Sequence, residues 1–433
     1  MPPPIKTKNR KEIHMSVYTS LKNIKFDNVY RNVLFLIGMI ITPATFALES
    51  TLEESFSTQI ANGWESVERW KSSNSAFFQE SYPSDGRGNQ TGQRATFFGG
   101  NATPHSSQFL IYSAPDWNIN TKEIPILMIH GANQDADIAW ANPNEAGGYG
   151  CGQMTCPNTG LMQQLVNDDF KVFALSFAHK NGDGYFWAEQ IANAIEIVKE
   201  KTGASEVNLV TWSKSAFNAR MYVSSTIQPW GTSYRGDVKK LIMLGAPNNG
   251  IDWSFRHGIT HTYSAYPGCG GTINGPTAHD GILCFGVWQS DTLWTYSSPY
   301  FPGSAQMLKQ LDLVHAVPYF DQDWYSTYYG GWGYYSHALG ISSYISESII
   351  DEVRAAGTAP DVEVHNLCGN KADIALIHNE HAGPSDGIVF VASCNDTTGI
   401  SNHGGSSIIP INHLKLGWGS QAVSAIKTWL NMP

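Results

Sequence analysis

Ser213, Asp386 and His413 supply, in that order along the chain, the three side-chain types that acyl transfer needs. A serine hydroxyl becomes a nucleophile when an imidazole takes its proton, a carboxylate holds the imidazole tautomer, and fixed donors stabilise the oxyanion that forms. The serine must then stand on a sharp turn between a strand and a helix, which lifts its hydroxyl above the sheet edge. The segment VNLVTWSKSAFNARMY predicts that turn, because an apolar strand ends just before Ser213 and a helical pattern starts within two residues of it. Its centre reads Thr211-Trp-Ser-Lys-Ser215 rather than G-x-S-x-G, so both glycine positions carry a Cβ. Glycine is usual there because neighbouring elements pack closely, and a serine that opens a helix is also a common N-cap.

Four further segments follow an order that suits such a site. His130-Gly131-Ala132 closes an apolar run upstream, and Leu241-Ile-Met-Leu-Gly-Ala-Pro-Asn-Asn-Gly250 carries a strand into a turn. Ser385-Asp386-Gly-Ile-Val-Phe-Val-Ala-Ser-Cys394 offers the carboxylate. Ile411-Asn-His413-Leu414 offers the imidazole 413 − 386 = 27 residues later, enough for a loop that swings it over the sheet. Two rivals stand nearby. Asp373 lies closer to the end of a late strand, and His403 sits in SNHGGSS, which reads as a loop tip. Asp386 and His413 are preferred.

The strand and turn at 241–250, the Asp-Gly-x-Val run leading to a Cys, and the later Asn-His-Leu resemble secreted bacterial lipases of the α/β-hydrolase superfamily. The His-Gly and elbow segments are more weakly similar to extracellular polyhydroxyalkanoate depolymerases. The resemblance covers roughly residues 124–250 and 361–430. It implies an α/β-hydrolase fold and a carboxylic-ester hydrolase, with Ser213 as nucleophile, His413 as base and Asp386 as its orienting acid. It also implies an oxyanion hole made by the N–H groups of Ala132 and Lys214. Some of these lipases bind calcium through a carboxylate two residues after the histidine. Lys415 stands there, so no calcium site, other metal or cofactor is expected. A non-catalytic binding protein on a hydrolase scaffold is the opposing class, motivated by the non-glycine elbow and the aromatic-rich insertion.

The elements that must hold these residues follow from periodicity. Ile124–Ile129 is a continuous apolar run, as a strand buried on both faces requires. Strands are expected again at Lys171–Ser176, Glu206–Val210, Lys239–Leu244 and Asp361–Asn366, with an extended stretch at Gly387–Ala392. Helices are expected at Gly160–Asn167, Phe186–Lys201, Ser213–Ser224 and Gln421–Leu430. The alternation predicts a doubly wound, mostly parallel sheet. Residues 48–107 read as a polar N-terminal arm with a short helix around Ile60–Trp70. Residues 108–250 and 341–433 form the two parts of the core, and 251–340 an aromatic-rich insertion that serves either as a lid or as a packed subdomain.

Residues 1–47 carry basic side chains, the apolar run Val33–Ile41 and a small-residue stretch ending at Ala47, the layout of a signal peptide with an N-terminal extension. An uncleaved anchor is the alternative. Without that segment, 27 − 7 = 20 basic and 37 − 2 = 35 acidic residues leave a net charge of 20 − 35 = −15. Such a surface repels phosphate backbones, which excludes nucleic acid as a partner. An ester substrate remains, as soluble ester, lipid aggregate or polyester surface. All six cysteines lie beyond residue 47, and neighbour pairing in an oxidising compartment is expected. His261, His279 and His315 have no metal-ligand spacing.

Overall fold

The computed structural model describes residues 49–82, 92–226, 231–251, 302–309, 311, 324–325, 336–337, 348–374 and 384–433. The expected signal peptide and most of the insertion, with Cys269, Cys284, His261, His279 and His315, lie outside the described residues.

Nine strands make one sheet: β1 (Ser50–Phe56), β2 (Ser66–Ser72), β3 (Gln108–Ser113), β4 (Ile126–Ile129), β5 (Val172–Phe177), β6 (Val207–Trp212), β7 (Val238–Leu244), β8 (Glu363–Gly369) and β9 (His403–Ile409). Their spatial order is β1-β2-β3-β5-β4-β6-β7-β8-β9. The pairs from β1 to β5 through β3 are antiparallel, and β5-β4-β6-β7-β8-β9 are parallel. Among the described residues the α-helices of six residues or more are α1 (Gly92–Phe97), α2 (Leu161–Asn167), α3 (Gly184–Thr202), α4 (Lys214–Ser224), α5 (Ile350–Ala356) and α6 (Ser420–Leu430).

The central strands are apolar on both faces because helices cover both. Ile126, Met128, Val210, Ile242 and Leu244 point to one core with Leu161 and Leu165 of α2 and Val423 and Ile426 of α6. Leu127, Ile129, Leu209, Leu241 and Met243 point to the other with Trp187, Ile191 and Ile195 of α3 and Ala216 and Val223 of α4. Alternate residues of one strand thus feed two cores, the period-2 geometry of a pleated strand. This mixed, mostly parallel sheet with helices on both faces is the α/β-hydrolase fold.

The 48–107 segment differs from the reading of the sequence. Residues 50–56 and 66–72 are strands of the sheet, and 60–65 is a turn rather than a helix. Val67 and Trp70 are spaced like a helical pair, but on β2 they are buried in the two separate cores on opposite faces of the sheet. Gly387–Ala392 is likewise no strand. Asp386 Oδ1 accepts the N–H groups of Ile388 (3.0 Å) and Val389 (2.7 Å), which closes a turn in place of a ladder. His403 begins β9, where a loop tip had been expected.

Helix α3 begins two residues earlier than periodicity alone indicates because Asp183 caps it, accepting Tyr185 N–H at 2.7 Å and Phe186 N–H at 3.4 Å. Gly203 ends it at φ 73°. Asp183→Ala is expected to lower unfolding free energy by about 1–2 kcal/mol, read from urea denaturation midpoints.

Candidate active site

Strand β6 ends at Trp212 and α4 begins at Lys214, so Ser213 alone makes the turn. Its backbone stands at φ 57°, ψ −121°. That conformation costs a residue with a Cβ on the order of 1–3 kcal/mol, and the surroundings must impose it. Ser213 N–H donates to Leu244 O of β7 at 2.7 Å. The two positions that hold glycine in G-x-S-x-G are filled without conflict. Thr211 is fully buried and donates its hydroxyl to Ile242 O at 3.1 Å. Ser215 Oγ receives Trp212 N–H at 3.0 Å and shares its proton between Ile129 O (2.8 Å) and Trp212 O (3.1 Å). The hydroxyls therefore tie β4, β6 and β7 together around the elbow, which glycine could not do. Ser213 occupies the N-cap position of α4, but its hydroxyl makes no cap bond to the helix.

The close approach falls on the β4 side instead. A Cβ at Gly131 would lie 3.1 Å from Ser213 Cβ and 3.1 Å from Trp212 O. The chain then reverses: Gln134 N–H donates to Gly131 O at 3.4 Å, with Asn133 at φ 59°. Ala132 lines the same pocket as Ser213. The N–H groups of Ala132 and Lys214 find no acceptor among the described residues. Two backbone donors are thus left beside the serine, backed by the positive end of α4.

His413 and Asp386 meet. Asp386 Oδ2 accepts the His413 Nδ1–H at 2.7 Å, and Asp386 O accepts His413 N–H at 2.9 Å. A carboxylate can only accept here, so in the neutral imidazole the proton sits on Nδ1 and Nε2 carries the lone pair. Both side chains are buried. His413 lines the pocket with Ser213. The Ser213 hydroxyl makes no hydrogen bond with a described residue; catalytic hydrogen bonds commonly tighten only with substrate. Gly245, at φ 55°, lies under the imidazole: a Cβ there would stand 2.8 Å from His413 Nδ1 and Cε1. His403 is spent on Ser406, at 3.0 Å, within its own strand.

Asp373 does not face His413. Its Oδ1 accepts Asn412 Nδ2 at 2.6 Å, and the same amide donates to Gly152 O at 3.0 Å. The rival acid thus holds the residue before His413 and ties it to the loop closed by the Cys151–Cys156 disulfide. Burial pushes the Asp373 carboxyl up, but hydrogen bonds from Asn412 and Lys371 and the charges of Lys415 and Lys371 outweigh it and hold the group below its usual value. A second disulfide, Cys368–Cys394, joins β8 to the end of the turn that carries Asp386. Cys269 and Cys284 lie outside the described residues. Among the described residues no group of three His, Cys, Asp or Glu side chains is arranged to hold a metal ion.

Gln134, Pro247, Ile251, Met307, Ile388 and Leu414 complete the pocket. Sequence reasoning left the substrate-binding residues unassigned. Gln134 is signalled only by following the His-Gly turn. Ile251 and Met307 sit in or beside the insertion, where no pattern marks which aliphatics turn inward.

Behind the pocket the side chains are charged but buried. The Lys214 side chain leaves the elbow and lies over the Trp187 ring at 3.4 Å, donating to Asn218 Oδ1 at 2.9 Å. Burial pushes its ammonium well below the usual lysine value, against the opposing charges of Asp183 and Glu80. Asp135, next to Gln134, pairs with Lys180 at 3.4 Å.

No family model matches the sequence, and no curated protein matches it either. Among solved structures, the lipase BlEst2 of Bacillus licheniformis, in mature form, is 12% identical over 72% of this chain and 93% of its own, with a TM-score of 0.38. Est1E of Butyrivibrio proteoclasticus is 12% identical over 75% and 93%, at 0.35. The carboxylesterase CesB of Bacillus subtilis is 10% identical over 75% and 88%, at 0.33.

His130 provides a pH test of the site's floor. Its buried ring donates Nδ1–H to Gly131 O at 2.8 Å and accepts Phe177 N–H at 3.4 Å. Burial, and then the charge of Arg94, push its pKa down to about 3. The unfolded chain therefore binds a proton near pH 6.5 that the folded chain refuses. This contribution to stability is whole above about pH 6.5 and is lost as pH falls toward 3, by up to roughly 1.4 kcal/mol per unit. His130→Gln, which keeps a donor and an acceptor, is expected to flatten that acid limb in denaturant unfolding at pH 5 and pH 7.5.

Proposed function

We propose that the protein is a secreted carboxylic-ester hydrolase, a lipase or esterase, acting through Ser213, His413 and Asp386. The observation that carries the reading is the buried 2.7 Å bond between Asp386 and His413 Nδ1, which leaves Nε2 as a base in the pocket that Ser213 also lines.

Ser213 Oγ attacks the ester carbonyl as Nε2 takes its proton. The tetrahedral oxyanion is held by the N–H groups of Ala132 and Lys214, each worth roughly 3–4 kcal/mol in the transition state. The imidazolium, steadied by Asp386, protonates the leaving alcohol. Water then enters, loses a proton to the same Nε2, and releases the acid. Hydrocarbon side chains at Ile251, Met307, Ile388 and Leu414 favour apolar acyl or alcohol groups. The expected signal layout and the two disulfides support export. The reading as a non-catalytic binding protein loses one of its two supports, the non-glycine elbow, because Thr211 and Ser215 are built into that turn by hydrogen bonds.

Wild-type protein is expected to hydrolyse p-nitrophenyl esters and to label with a fluorophosphonate, and Ser213→Ala to lose both. Asp386→Asn should cut kcat by about 10³–10⁴-fold, whereas Asp373→Asn should cost less than about tenfold. Full activity in Ser213→Ala overturns the reading. Turnover of emulsified triolein, tributyrin and amorphous polyhydroxybutyrate separates lipase and esterase from a polyester depolymerase.

A further inference from the structure

Gln134 stands at the pocket with one end fixed and the other unused. Its Oε1 accepts Gly131 N–H at 3.2 Å, and a backbone N–H can only donate, so the amide orientation is settled: Oε1 faces Gly131, and Nε2 is the opposite arm. Nε2 has no acceptor among the described residues, although Gln134 lines the pocket shared by Ser213 and His413.

The amide is also close to the nucleophile. The position that a Cβ on Gly131 would occupy is 3.2 Å from Gln134 Oε1 and 3.1 Å from Ser213 Cβ. The glutamine head and the serine therefore both border the side of Gly131 that carries no Cβ. The turn through Asn133 brings Gln134 back over Gly131, and it is anchored by Asn133 N–H donating to Lys180 O at 2.9 Å and by the Asp135–Lys180 pair at 3.4 Å. A primary amide with one anchored arm is already ordered before substrate arrives, so little conformational entropy opposes its use.

We propose that Gln134 is a catalytic residue, whose Nε2–H donates to the carbonyl oxygen of the bound ester as negative charge develops there, a third oxyanion donor beside Ala132 and Lys214. This inference rests on the ester-hydrolase reading of the same pocket. A side-chain donor differs from the two backbone donors in being removable by mutation.

Gln134→Glu is the discriminating variant. It keeps the acceptor that Gly131 N–H requires but replaces the NH₂ donor by a carboxylate, which repels an oxyanion. With a soluble p-nitrophenyl ester, Gln134→Ala is expected to lower kcat about 10–100-fold with KM changed less than about threefold. Gln134→Glu should fall at least as far at pH 8. Thermal midpoints and fluorophosphonate titration of Ser213 report whether each variant is folded and its serine still reactive. If Gln134→Ala or Gln134→Glu matches wild type at pH 8, the donor role is overturned and Gln134 serves only the Gly131 turn. If wild-type activity survives in Ser213→Ala, the ester-hydrolase reading itself has failed and takes this inference with it. Loss of activity in Ser213→Ala alongside a fully active Gln134→Glu rejects the inference alone.

Discussion

A serine held at φ 57° and ψ −121° at the end of a buried strand is a constraint that propagates outward. No residue with a side chain adopts that backbone unaided, so three strands have to converge on it. β7 supplies the acceptor for its N–H through Leu244 O, and β4 supplies Ile129 O for the hydroxyl of Ser215. The next residue of the β4 strand end but one, Gly131, must then pass so near that a Cβ would press on Ser213. Gly245, following β7, has to leave room for the imidazole. Strand order, turn composition and the position of α4 all answer to one strained residue.

The charges around the elbow follow a related logic. A lysine directly after the serine would normally seek water, yet Lys214 is fully buried. Its stem and ammonium run backward onto Trp187, so the pocket side of the elbow keeps only the backbone N–H. Removing a cation from the pocket mouth carries a desolvation cost, which Asn218, the Trp187 face and the charges of Asp183 and Glu80 offset in part. Met307 is fixed in the same region, because its neighbour Gln306 donates to Asp183 Oδ2 at 2.9 Å and accepts Gly184 N–H at 2.6 Å. The N-terminus of α3 is therefore the anchor that holds one described piece of the insertion at the pocket.

Much of this was legible in the sequence, and for definite reasons. Central strands buried on both faces print continuous apolar runs, and α3 and α6 print helical stripes, so β4 to β8 and those helices were found to within a few residues. The order of serine, carboxylate and imidazole was legible because each stands beside a recognisable strand end or turn. The N-terminal strands were not, since edge strands such as β1 expose most of their side chains and carry little periodic signal. Nor was the turn at 386–389, because Gly-Ile-Val-Phe-Val has strand composition and only the Asp386 carboxylate, bonding its own downstream N–H groups, makes it fold back.

The Asp373 position shows why residue type and order could not by themselves separate the two acids. Both carboxylates hold the histidine segment, one through the imidazole and one through the Asn412 amide. The difference is in what the loops are fastened to. Asp386 sits on a turn clamped by Cys368–Cys394 to the end of β8, whereas Asp373 acts together with Gly152 of the Cys151–Cys156 loop. His413 opens a single 3-10 turn, His413–Lys415, rather than a strand, so its placement depends on cross-links made by neighbouring loops. Two disulfides, a carboxylate on the ring and a carboxylate on the preceding amide together give a loop residue the fixed position that the sheet gives Ser213.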